Sequence, residues 1–173
     1  RIGAASRRPL ATIARGDDYE LLGDDLVEAY VDRAAALVAG SSAREVVWVH
    51  TALHGVSSDA MARAACAAGF PSPIQVAVQA EPDPAFPTVA FPNPEEPGAM
   101  DLSFATARAA GAEFILANDP DADRLAIAIP DPTADGGWRR LTGNETGLLL
   151  GWRAAQRATS SGAASDGASL ACS

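Results

Sequence analysis

The chain predicts an α/β fold, a three-layer αβα domain with a mainly parallel sheet. Short β-branched apolar runs alternate with segments whose apolar residues recur at helical spacing. The stretches between successive runs are long enough to cross over and return in parallel. A length of 173 residues suits one ordinary domain with a real core.

Residues 1–23 read as an irregular lead-in. The first helix is expected from about Asp24 to Ala39, because Leu26, Val27, Tyr30, Val31, Ala34, Leu37 and Val38 fall at helical spacing. Asp24 or Asp25 can cap its start, and Gly40-Ser41-Ser42 should end it. Glu45 to His50 is short and β-branched, a buried strand. A second helix follows from about Ser58 to Ala68, with Ser57 and Ser58 as candidate caps, and Ile74 to Val78 is a second strand. Prolines 82, 84, 87, 92, 94 and 97 then exclude helix interiors and central strands, which leaves a long, ordered surface excursion. Periodicity returns in a helix over Asp101–Ala110, stopped by Gly111. Strands are expected at Glu113–Ala117 and Leu125–Ile129, with an edge strand at Trp138–Leu141. Thr142-Gly143-Asn144-Glu145 is a capping box that opens a last helix to about Arg157. The domain is therefore expected at 24–157, with residues 158–173, rich in Ser, Ala and Gly, as a flexible tail or linker stub.

Composition removes several function classes. There are 22 acidic residues against 13 basic ones, a formal charge of −9, so binding nucleic acid through a basic patch is not expected. No apolar run approaches the roughly 20 residues of a spanning helix, and the N-terminus lacks a signal-peptide core. No membrane association is expected, and a cytoplasmic protein is. Cys66 and Cys172 form no C-x-x-C pair, which disfavours zinc and disulfide frameworks.

The chemistry concentrates in Asn118-Asp119-Pro120-Asp121-Ala122-Asp123-Arg124. Three carboxylates at alternate positions repel one another unless a cation sits among them. Hard divalent cations such as Mg²⁺ want such oxygen ligands and keep positions open for water or phosphate. Asp119, Asp121 and Asp123 are thus candidate metal ligands, and Arg124 a candidate phosphate ligand through its planar fork. The loop follows a strand expected to be parallel, at the carboxyl end where open α/β sheets bind ligands. An EF-hand is excluded, because Arg124 stands where Gly is needed and Pro130 where Glu is needed. A solvated acidic turn and the D-x-D metal loop of a nucleotide-sugar transferase both remain compatible with the acids alone. His54 is read as a structural residue bonding its turn, His50 as ambiguous, and the three tryptophans as packing residues. No serine is placed as a nucleophile.

The Asp-x-Asp-x-Asp-Arg run of Asp119, Asp121, Asp123 and Arg124 resembles the metal loop of the α-D-phosphohexomutase superfamily. Its Ala-Asn prefix and internal Pro are similar to the phosphopentomutase and glucose-1,6-bisphosphate synthase branch. Val49 to Val56, Pro82 to Val89, Phe91 to Glu96, and Gly143-Asn144-Glu145 with Leu148 to Gly151 carry the resemblance further, from about Asp17 to Arg157. Ser57 departs from the family, which commonly has Gly there. The resemblance implies the second of four domains, with residues 1–23 the trailing end of a preceding one. It implies a Mg²⁺-dependent phosphosugar mutase, an intramolecular phosphotransferase interconverting hexose or pentose 1-phosphates with 6- or 5-phosphates through a phosphoserine. The phosphoserine loop, the sugar-recognition loop and the phosphate-binding loop of that family are not found here. The expectation is therefore a domain fragment that has no catalytic residue of its own, is inactive alone, and works with phosphosugar substrate and the enzyme's other domains. A free-standing, non-catalytic domain binding metal or a partner protein is the alternative.

Overall fold

The structure, a computed structural model, describes residues 7–13, 16–38 and 45–160. It divides into two compact units, residues 1–30 and 31–173. The first contains one 3₁₀ turn, Leu10–Thr12, closed by the Thr12 N–H donating to the Pro9 carbonyl at 2.8 Å. Helix α1, Asp24–Ala36, runs across the division. Of its apolar stripe only Val31 is buried, while Leu26 and Tyr30 stay exposed. Its expected stop at Gly40-Ser41-Ser42 lies outside the described residues, as does the tail from residue 161 onward.

The second unit is built on a five-stranded sheet in the order β2-β1-β3-β4-β5. The strands are β1 (Trp48–Thr51), β2 (Ile74–Gln75), β3 (Phe114–Asn118), β4 (Leu125–Pro130) and β5 (Trp138–Arg140). β1 pairs in parallel with β2 and β3, whereas β4 is antiparallel to both β3 and β5. Four strands therefore point one way and β4 alone is reversed, so the sheet is mainly parallel with one hairpin set into it. Helices α2 (Ser57–Ala67) and α3 (Asp101–Ala110) carry the chain from β1 to β2 and from β2 to β3. These two connections travel in opposite directions along the sheet, and right-handed crossovers then put α2 and α3 on opposite faces. Helix α4, Gly143–Ser160, packs against β4.

The core is made largely of small side chains. Val49, Val76, Met100, Ala107, Ala112, Ile115, Ala117, Ala126, Ala128 and Trp138 form one buried cluster, with Phe104 packed against it. Alanines on β3, β4 and α3 let helix and sheet approach closely. Aromatic rings cover the ends, Trp48 stacking on Phe114 at 5.7 Å and Phe104 on Trp138 at 6.5 Å. Gly111, at φ 63°, ends α3 as expected, and the Ala112 N–H reaches back to the Ala107 carbonyl at 2.9 Å.

The second strand is shorter than its alternating pattern suggests. Val78 is exposed and Ala77–Gln79 forms a 3₁₀ turn, which carries the fully buried Gln79 inward instead. The Thr51 hydroxyl donates to the Gln79 side-chain oxygen at 2.7 Å, and the Gln79 amide donates to the Thr88 hydroxyl at 2.8 Å. Satisfying this buried amide outweighs extending an edge strand. The Pro-rich excursion is a succession of turns, Asp83 to Phe86, Phe86 to Val89, Asn93 to Glu96 and Glu96 to Ala99, with Pro94 fully buried.

The capping box forms as expected. The Glu145 N–H donates to the Thr142 hydroxyl at 3.2 Å, and the Thr142 N–H to the Glu145 carboxylate at 2.7 Å. That backbone bond, then the Arg139 guanidinium and the Thr142 hydroxyl, hold the Glu145 carboxyl below its ordinary value of 4.5. A depressed pKa stabilises the fold above the ordinary value, and that stability is lost as pH falls through the depressed one. Urea denaturation of the wild type and Glu145→Gln across a pH series should therefore show a stability gap at neutral pH that closes as pH falls below 4.5.

Candidate metal centre

The acidic loop is the turn of the β3–β4 hairpin, at the carboxyl end of β3. Parallel pairing sets Thr51 beside Ala117, so the turn leaving β1 lies next to the loop leaving β3. Strand register thus brings two covalently remote segments side by side.

In the loop, the Ala122 N–H donates to the Asp119 carbonyl at 3.0 Å, and Ala122 turns the chain with φ at 61°. This left-handed conformation costs a non-glycine residue about 1 kcal/mol or more. It folds Asp121 and Asp123 back toward Asp119. One carboxylate oxygen from each of the three lies within 4.8 Å of the others. Asp119 is buried, and the other two are exposed. The Asp119 carboxylate also accepts the Arg124 N–H at 2.9 Å, which closes the loop on itself. The Arg124 Nε stands 3.6 Å from Asp119 and 3.8 Å from Asp123. With its side chain more than half exposed, this guanidinium only partly screens three negative charges.

A second loop supports the first. Leu53 and His54, directly after β1, both have positive φ, at 47° and 62°. They bring Gly55 against Pro120, where an added Cβ would overlap the Pro120 Cα and carbonyl. The Val56 N–H donates to the Pro120 carbonyl at 2.9 Å. This contact commits the residue before α2, and Ser57 and Ser58 do not cap the helix as expected. Val56 stands at the N-cap, and both serine hydroxyls are buried without a hydrogen-bond partner.

His54 is structural, as expected, but its ring bonds the Thr88 hydroxyl at 2.8 Å rather than its own turn. Its backbone N–H donates to the Gln79 carbonyl and its carbonyl accepts from Asp83, both at 3.0 Å. His50 is fully buried between Gln75 and Asn118, with ring nitrogens 2.9 and 3.0 Å from their side-chain oxygens. Trp48 and Trp138 are buried, whereas Trp152 is exposed. Glu95 is exposed but ion-paired with Arg140 at 3.2 Å. A cavity of about 230 Å³ lined by Asn93, Pro94, Glu95, Arg124, Leu125 and Ala126 opens beside the loop.

The donor set suits a hard divalent cation. It offers carboxylate oxygens only, one from a buried residue and two from exposed ones. The three aspartates singled out from the sequence as candidate ligands do converge, whereas the sequence assigned no role to Asn118 or Gly55. Gly55 next to a histidine and opposite a proline-bearing loop was the available signal, though nothing local says that the two segments meet.

Residues 28–135 match the family model described as phosphoglucomutase/phosphomannomutase, alpha/beta/alpha domain II. The chain is 48% identical over 145 residues to a probable phosphomannomutase of Haemophilus influenzae, covering 84% of this chain and 29% of that protein. It is 50% identical over 109 residues to the phosphopentomutase of Mus musculus, covering 62% of this chain and 17% of the relative. A crystal structure of a phosphoglucomutase/phosphomannomutase family protein from Burkholderia thailandensis superposes with a TM-score of 0.51 at 26% identity, over 60% of this chain and 21% of that one. The chain thus spans less than a third of the curated relatives it matches.

The packing of Gly55 on Pro120 makes a direct prediction. Gly55→Ala should cost about 1–3 kcal/mol in urea denaturation, as an overpacked contact that only backbone movement can relieve. A variant as stable as the wild type would show that the two loops are not in close contact.

Proposed function

Because the chain belongs to the phosphoglucomutase/phosphomannomutase family, we propose that it is the metal-binding domain of a Mg²⁺-dependent phosphosugar mutase. The observation that carries this reading is the convergence of Asp119, Asp121 and Asp123 within 4.8 Å at the carboxyl end of β3. Asp119 is the anchor, since it is buried and tied to the Arg124 N–H. Asp121 and Asp123, exposed at the loop tip, leave the outer positions to water and to a phosphate. When bound, Mg²⁺ supplies charge neutralisation to a phosphoryl group beside it. The Arg124 Nε stands beside Asp119 and Asp123, and its guanidinium would exchange these loose carboxylate contacts for phosphate oxygens.

The whole enzyme, on this reading, interconverts hexose or pentose 1-phosphates with the corresponding 6- or 5-phosphates through a phosphoserine on another domain. It is a cytoplasmic enzyme of carbohydrate metabolism. Residues 24–157 are the metal-binding domain, residues 1–23 the trailing end of a preceding domain or a linker, and 158–173 a tail or linker stub. The partners are the phosphosugar and the enzyme's other domains. No helix among the described residues is long and apolar enough to cross a membrane. Ser57, Ser58 and Ser103 keep their hydroxyls buried, which argues against their use as phosphoryl carriers. With the phosphoserine on another domain, the domain alone is inactive on this reading. Membership of the mutase family favours the mutase reading of the acidic loop over a nucleotide-sugar transferase one.

Calorimetric titration with Mg²⁺ and Mn²⁺ tests the site. The wild-type chain should show saturable binding, weakened about tenfold or more in Asp121→Asn. Equal uptake by both would refute the site assignment. Turnover of hexose or pentose 1-phosphates by the isolated chain would refute its proposed dependence on other domains.

A further inference from the structure

Side chains two apart on a strand share a face, and register aligns those faces across the sheet. His50 on β1 pairs with Gln75 on β2 and with Leu116 on β3, so Gln75, His50 and Asn118 all point to one side. They form a continuous hydrogen-bonded row ending at the acidic loop. The Asn118 Nδ2 donates to the Arg124 carbonyl at 2.7 Å, bridging the last residue before the loop and the last residue in it. The Asp119 carboxylate holds the Arg124 N–H at 2.9 Å. Both backbone groups of Arg124 are therefore fixed by side chains from the loop's entry.

This closure works in only one orientation of the Asn118 amide. If the amide turned over, its oxygen would face the Arg124 carbonyl oxygen, acceptor against acceptor. The His50 Nε2, 3.0 Å from the Asn118 Oδ1, selects the working orientation by donating to that oxygen. Asn118 thereby requires a hydrogen on Nε2. At the other ring nitrogen, the Gln75 Oε1 lies at 2.9 Å and the Gln75 amide makes only a 3.3 Å bond to the Ser58 carbonyl. Gln75 is the partner that can turn to suit the ring, whereas Asn118 cannot turn without opening the loop. The ring is fully buried, so water cannot take over the role of Nε2.

We infer that His50 is a positioning residue for the acidic loop, acting through Asn118 to fix the backbone of Arg124 and, with it, the spacing of the three carboxylates. The inference deepens the metal-site reading and, for its effect on metal affinity, rests on it. A histidine that merely fills the core has no preference between its two nitrogens. This role needs Nε2 alone.

Two substitutions separate these roles. In His50→Gln the side-chain amide nitrogen reaches the Nε2 position and can still donate to Asn118. In His50→Asn the shorter amide reaches only the Nδ1 position. Amide hydrogen exchange at Ala122 and Arg124 reads loop closure without metal, and Mn²⁺ titration reads the consequence. His50→Asn should speed exchange at both amides about tenfold and weaken Mn²⁺ binding by a similar factor, while His50→Gln stays within about twofold of wild type. Asn118→Ala should reproduce His50→Asn, and a normal loop in Asn118→Ala overturns the inference even if His50→Asn does not fold. Indistinguishable exchange in His50→Gln and His50→Asn also overturns it. Mn²⁺ binding that is lost in Asp121→Asn but equal in the two His50 variants would refute the link to metal while leaving the site standing. Split exchange rates in a chain that takes up no Mn²⁺ would uphold the hold on the loop and refute the metal site.

Discussion

Like charges crowded into one short loop push it open, and the bonds that close the loop on itself are backed by the close approach of Gly55 to the Pro120 backbone. The Val56 N–H seals that contact on the Pro120 carbonyl. Much of the surrounding architecture follows from it. The left-handed residues Leu53 and His54 exist to deliver Gly55 to this spot, and their strain is carried by neighbours that leave them no alternative. His54 is tied through its backbone to Gln79 and Asp83 and through its ring to Thr88. The Pro-rich excursion, which looks like decoration on the surface, is thereby part of the brace behind the acidic loop.

The electrostatics are arranged in depth. Asp119 is buried and takes a backbone N–H, so its position is set before any cation arrives. Asp121 and Asp123 remain in solvent, where mutual repulsion is damped and adjustment is cheap. One fixed carboxylate and two adjustable ones suit the proposed site, where water and a phosphate would share the outer positions. Arg124 adds a positive group that belongs to the loop itself. Its Nε stands near Asp119 and Asp123 but makes no short bond to either, as the proposed role in holding a phosphate requires.

Much of this was legible in the chain, where local chemistry decides the outcome. Helix α3 occupies Asp101–Ala110 as its periodicity requires, and the capping box at Thr142 and Glu145 forms as its spacing dictates. The three aspartates stand out by their alternation, and the structure brings one oxygen of each within 4.8 Å of the others. The failures have a common cause, which is long-range contact. The alternation of Ile74, Val76 and Val78 suggests a longer strand, but Gln79 satisfies its amide only if the chain leaves the sheet early. Ser57 and Ser58 are good capping residues in isolation, yet Pro120 claims the backbone ahead of them. Asn118 reads as the first residue of the acidic loop until His50 and Arg124 are seen on either side of it.

The reversed direction of β4 also bears on how the site can evolve. Because the ligand loop joins two adjacent antiparallel strands, its length is tied to the register that seats Ala126 and Ala128 in the core. A slip of one residue would bring Ile127 and Ile129 into spaces sized for alanine and turn every side chain of β4 to the opposite face. Insertions and deletions here are therefore filtered by folding before function is tested. Variation is channelled into substitution at fixed positions, so the count of residues between the carboxylates is inherited with the fold.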